Sequence, residues 1–144
     1  MLDTSVFVAG LLSPRGGSGE CLRLWYEDAL FDVIASPALF EELLASLEKP
    51  KLRARFETDQ PRRAVATFSQ AAQMHPDQAS PAAITRDAND DFLVSLALLS
   101  QADALVSLDD DLLVLRVLHH PNGSVIPVIR PGELLALLRD AGTR

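Results

Sequence analysis

Carboxylates gather beside apolar runs at four places in this chain: Asp3 in MLDTSVF, Glu41 and Glu42 in ALFEELL, Asp90 and Asp91 in ANDDFLV, and Asp109, Asp110 and Asp111 in VSLDDDLL. Taken singly, each has a plain structural explanation. An aspartate ahead of an apolar run is a common helix cap, because its side chain accepts from a first-turn N–H. Asp3, Asp90 or Asp91 (with Asn89 assisting) and Asp109 could all cap, and Asp110 and Asp111 would complement the positive end of a helix dipole. Glu41 and Glu42 could lie on the solvated face of a helix. Taken together, the acids suggest chemistry. Two like charges about 4 Å apart cost around 4 kcal/mol at a near-surface dielectric. A converging set therefore raises carboxyl pKa values or recruits cations. Oxygen donors favour Mg²⁺ or Mn²⁺, as one or two ions. Such ions activate a water, orient a phosphate and stabilise the leaving oxygen, which are the needs of phosphodiester hydrolysis.

The elements that must position these acids follow from periodicity. SGECLRLWYEDAL (18–30) has helical spacing with Ser18 as its cap, and FDVIAS (31–36) is a short β-rich run. PALFEELLASLEK (37–49) is a helix opening on Pro37, followed by one short helix and one longer one. Residues 75–88, broken by Pro76 and Pro81, read as a loop. DDFLVSLALLSQ (90–101) is apolar nearly all round, as in a helix buried between layers. DALVSL (103–108) is strand-like, DDDLLVLRVL (109–118) helix-like, SVIPVI (124–129) strand-like and PGELLALLRDAG (131–142) helical. Pro127 cannot donate to a ladder, which predicts an edge strand. The alternation predicts a parallel sheet covered by helices on both faces, with sites beyond the carboxyl ends of its strands. Asp109 stands at such an end.

Length, 144 residues, and the lack of any linker or repeat suit a single domain over 1–144. The net charge of −7, from 13 basic and 20 acidic residues, argues against a general nucleic-acid coat. No apolar run approaches the roughly 18 residues of a membrane span. The start lacks the basic region of a secretory signal and carries Asp3, and Cys21 is the only cysteine, both in keeping with a reducing cytoplasm.

At the acidic segments the chain resembles the PIN-domain family. LDTSVFVAGLLSPRG is similar to its opening, SPALFEELLASLEKPKLR to its second segment, and RDANDDFLVSLALLSQADALVSLDDDLL to its third and fourth. RPGELLALL is similar to the closing strand-to-helix turn. The likeness is strongest to bacterial members classed as toxin components of toxin–antitoxin pairs. It implies a three-layer α/β/α sandwich around a mainly parallel sheet of four to five strands, and a Mg²⁺- or Mn²⁺-dependent endoribonuclease. It also implies an RNA substrate, a small antitoxin protein as partner and a homodimer. By position, Asp3, Glu42, Asp91 and Asp109 match the family's four acids, and Asp111 an accessory one. Periodicity alone does not separate Glu41 from Glu42, or Asp90 from Asp91. Ser5 stands where the family has asparagine, and a hydroxyl can still support a carboxylate. Ser107 takes the Ser/Thr place before the fourth acid, and Leu108 replaces a glycine. The family has a few more apolar residues before Leu-Asp-Thr, so either residues precede Met1 or the first strand is short, which bears on stability rather than chemistry.

A phosphate backbone needs local positive charge. Arg15, in the loop after the first helix, and Lys51 and Arg53, within the cluster Lys49, Lys51, Arg53 and Arg55, are the substrate-binding candidates. The rival to a nuclease is the same fold as a binding module with a degenerate acid cluster. A phosphatase with Asp3 as nucleophile is disfavoured, because Ser5 occupies the place of its second aspartate.

Overall fold

The computed structural model describes residues 1–77 and 88–142, and all their side chains but those of 88–91. Helix α1 (Thr4–Leu12) starts directly after Asp3, and α2 (Gly17–Tyr26) follows a short loop. The chain then forms strand β1 (Ile34–Ala35) and helix α3 (Pro37–Leu47). α3 is capped by Ser36, whose Oγ accepts the Leu39 N–H at 3.4 Å, and it begins on a proline whose missing N–H costs nothing there. Next come α4 (Pro50–Arg53), α5 (Gln60–Ala71) and strand β2 (Gln73–Met74). The second half holds α6 (Ala88–Leu99), β3 (Leu105–Val106), α7 (Asp110–Leu113), β4 (Val117–His119), β5 (Val125–Ile129) and α8 (Pro131–Gly142).

β5 is the middle strand of three, parallel to β3 and antiparallel to β4. Met1–Asp3 adds along the other side of β3. Val106 N–H donates to Met1 O and Asp3 N–H to Val106 O, both at 2.9 Å, around a parallel bridge between Leu2 and Val106. β1 and β2 form a separate parallel pair. The protein is thus α/β as expected; the described strands form a three-stranded mixed sheet, extended past β3 by the single Leu2 bridge, and a separate two-stranded pair.

Two sequence expectations fail here for identifiable reasons. The helix predicted over 109–118 is only α7 followed by β4. Arg116 adopts φ +64°, which ends the helical path, and burial at 117–119 then alternates with period two. Pro127 lies in the central strand rather than at an edge. On the β4 side the ladder bonds fall at Val128, which donates to Arg116 O at 2.8 Å, and at His120, which donates to Ser124 O at 2.9 Å. Alternation therefore turns position 127 away from β4, toward a neighbour whose pairing begins only at Leu105–Val128. The missing N–H is lost where no partner waits. Of the loop expected at 75–88, residues 75–77 carry no regular structure and 78–87 lie outside the described residues. The helix that begins the 18–30 segment starts two residues early, with Gly16 as its cap in place of Ser18, which is buried inside it.

The core is centred on Phe7, fully buried on α1. Its ring lies 6.1 Å from Trp25 on α2, 5.7 Å from Phe40 on α3 and 5.3 Å from Phe68 on α5. Four helices are pinned by one aromatic cluster, worth about 0.5–1.5 kcal/mol per ring pair beyond the area buried. This clamp fixes α3 against α1, which decides what the acids of both can reach.

Candidate functional site

Asp3 leaves the Leu2–Val106 bridge and enters α1 as its boundary residue, yet its side chain makes no cap bond. It is 3% exposed, and its carboxylate is held by hydroxyls instead. Ser5 Oγ donates to Asp3 Oδ2 at 2.8 Å, Ser107 Oγ donates to the same oxygen at 2.7 Å, and Thr4 Oγ1 donates to Oδ1 at 3.2 Å. The capping explanation of Asp3 therefore does not hold.

The two serines also accept bonds. Ser107 Oγ takes the Asp109 N–H at 2.9 Å, and Ser5 Oγ takes the Leu108 N–H at 3.1 Å. A single carboxylate thus ties the start of α1 to the exit of β3, through hydroxyls whose donor and acceptor capacities are both used. Ser5, in the place where asparagine was expected, does support the acid. Leu108 contributes its N–H to this tie while the residue is 38% exposed.

Asp109 does cap, since its Oδ1 accepts the Asp111 N–H at 2.9 Å at the start of α7. It nonetheless reaches a cleft of about 510 Å³ that Asp3, Ser5 and Glu42 also line. Three acids from separate parts of the chain meet there. Glu42 projects from α3 with its Oε2 buried, whereas Glu41, one residue back, is exposed. Asp111 is half-buried and lies outside the cleft wall. Asp91 falls in α6, and its side chain lies outside the described residues, as does that of Asp90.

The basic candidates separate. Arg15 is exposed in the α1–α2 loop and Lys51 is exposed on α4; neither lines the cleft. Arg53 is engaged elsewhere: its guanidinium donates to the carbonyls of Phe56, Glu57 and Thr58 at 3.4, 3.3 and 2.7 Å, closing the turn after α4. Lys49 lines the cleft instead, beside Ser46 and Leu52. Its place in the basic cluster was visible, but nothing in the spacing preferred it to its neighbours. Val8, Ala9 and Leu12 of α1 add an apolar stretch to the lining.

An all-oxygen donor set of this kind suits a hard divalent cation. Among the described residues no three His, Cys, Asp or Glu side chains are grouped tightly enough to cage an ion. Mg²⁺ takes only one or two carboxylates and keeps water in its other positions. The donors present therefore fit Mg²⁺ or Mn²⁺ and do not fit a closed structural zinc site.

Elsewhere the molecule offers less. Cys21 is fully buried, its Sγ donating to Pro131 O at 3.6 Å, and burial, aided by the nearby Glu20 carboxylate, pushes its thiol up to about 11. A thiol so protonated is a packing group rather than a nucleophile. No helix among the described residues is long and apolar enough to cross a membrane.

Compared with known families, residues 1–111 match the model described as PIN domain. No curated protein and no solved structure gives a match.

Proposed function

We propose, from the premise that this chain belongs to the PIN-domain family, whose members are generally nucleases, that it is a divalent-metal-dependent endoribonuclease and the toxin of a toxin–antitoxin pair. One observation carries the reading. Asp3, Glu42 and Asp109, far apart in sequence, line one cleft, and Asp3 is positioned by Ser5 and Ser107 instead of capping its helix. Such an arrangement crowds like charge, which costs energy unless a cation shares the space.

In this reading Asp3, Glu42, Asp109 and, from α6, Asp91 hold Mg²⁺ or Mn²⁺, with Asp111 nearby. A cation there supplies positive charge to the scissile phosphate and to the water that attacks it. The chain's own residues do the positioning. Ser5 and Ser107 fix the Asp3 carboxylate by its Oδ2, so that its orientation does not depend on the cation. The Asp111 N–H fixes Asp109 in the same way through Oδ1. Val8, Ala9 and Leu12 of α1 offer an apolar surface for a nucleoside beside the phosphate. A small antitoxin covering this cleft, a homodimer and a single domain across 1–144 complete the proposal.

The test is cleavage of a single-stranded RNA in Mg²⁺ or Mn²⁺ by the native chain, Asp3→Asn and Asp91→Asn. The native chain should cut and both variants should not; equal activity in all three defeats the assignment. Titration with Mn²⁺ addresses the binding-module alternative, which predicts no saturable uptake at the acids.

A further inference from the structure

We infer that Lys49 is the phosphate-holding cation of the acid cleft, gripping the RNA backbone beside the bond that is cut; the inference rests on the ribonuclease reading. Its location is the first support. Of the basic residues in this part of the chain, Lys51 and Arg55 do not line the cleft, Arg53 is spent on three carbonyls, and Lys49, itself exposed, lines the cleft that Asp3, Glu42 and Asp109 share.

Its pairing is the second. Arg62 and Arg63 engage Glu48 and Glu57, yet Lys49 makes no ion pair among the described residues, although three carboxylates border the same space. An ammonium that stands at an acid cleft without closing onto an acid remains available to an anion. Phosphate is the anion such a cleft would otherwise repel, so a cation at its rim offsets part of that repulsion.

Its backbone is the third. Lys49 is the boundary residue of α4, where its carbonyl accepts from Leu52 N–H at 3.0 Å and from Arg53 N–H at 2.7 Å. The main chain, not the side chain, builds the turn, so the side chain can be replaced without unfolding it.

The experiment follows a fluorescent single-stranded RNA with the native chain, Lys49→Gln, Lys49→Arg and Arg139→Gln. The last removes the same charge from the exposed surface of α8. Lys49→Gln should raise KM for cleavage about tenfold with kcat within twofold, because a ground-state phosphate contact is lost uniformly. In anisotropy titrations across KCl concentrations, its plot of log affinity against log salt should be shallower by about 0.7, the value of one single-strand phosphate contact. Lys49→Arg should restore both, and Arg139→Gln should behave as native. A native-like KM and salt slope in Lys49→Gln overturns the inference, as does an equal effect of Arg139→Gln. RNA that is bound with the full Lys49 slope but never cut sinks the ribonuclease reading alone; RNA that is not bound at all sinks both.

Discussion

Replacing Ser107 by alanine should be among the most damaging single-atom changes available in this protein. The hydroxyl is fully buried, donates to Asp3 Oδ2 at 2.7 Å and accepts the Asp109 N–H at 2.9 Å. Its loss removes a hydrogen bond to a charged acceptor, about 1.5–3 kcal/mol, and leaves a backbone donor without its acceptor, about 1–3 kcal/mol if water cannot replace it. The two do not add fully, because Asp109 borders the cleft and can relax toward solvent. About 3 kcal/mol is expected, which lowers Tm by roughly 6–12 °C for a chain of this size. Ser5→Ala is the internal comparison. It breaks bonds of similar length, 2.8 Å to Asp3 and 3.1 Å to Leu108 N–H, but Ser5 is only half-buried and water can take its place, so about 1 kcal/mol is expected. Both variants are compared by urea denaturation followed by circular dichroism, with EDTA present so that ion binding does not add to stability. A Ser107→Ala protein within about 0.5 kcal/mol of native, or one more stable than Ser5→Ala, would refute the view that this hydroxyl ties β3 to α1.

Glu42→Gln should abolish metal-dependent RNA cleavage while Glu41→Gln keeps it, since only Glu42 reaches the cleft; the reverse order in a cleavage assay assigns the wrong glutamate here. Gly19→Ala should cost about 3 kcal/mol in urea denaturation. A methyl there would meet the Pro14 carbonyl oxygen and stand 2.5 Å from Pro14 C, backbone that cannot swing aside as a side chain could. Cys21 should resist thiol reagents in the folded protein at pH 8 and react once it is unfolded. Its thiol is raised from 9.0 to about 11, so the folded state keeps a proton that the unfolded chain releases, and stability should fall as pH climbs from about 9 to 11. Denaturation midpoints over that range should decline less in Cys21→Ala.

Much of the element order was legible because its signals are local. Pro37 and Pro131 each start a helix at the predicted residue, and the Ser36 cap acts on an N–H only three positions away. The 109–118 stretch misled because Leu112, Leu115 and Leu118 keep helical spacing, while the event that ended the helix was a left-handed backbone at Arg116 that no side chain announced. The edge placement of Pro127 failed for a related reason. A missing donor matters only on the side where a neighbour needs it, and that side is a property of register.

By itself the sequence determined which acids stand at the ends of apolar runs, and hence which could meet if those ends converged. Local patterns extend over a turn or two and carry that much. Only the tertiary structure decided that Asp3 is held by Ser107, 104 residues away, instead of capping α1, that Glu42 rather than Glu41 turns inward, and that Lys49 rather than Arg53 reaches the cleft. The Asp3 choice follows from the pairing of Met1–Asp3 with β3, and the Glu42 choice from how α3 sits against α1. The packing of Phe7 with Trp25, Phe40 and Phe68 sets that placement, and contacts between distant segments leave no mark in the spacing of either one.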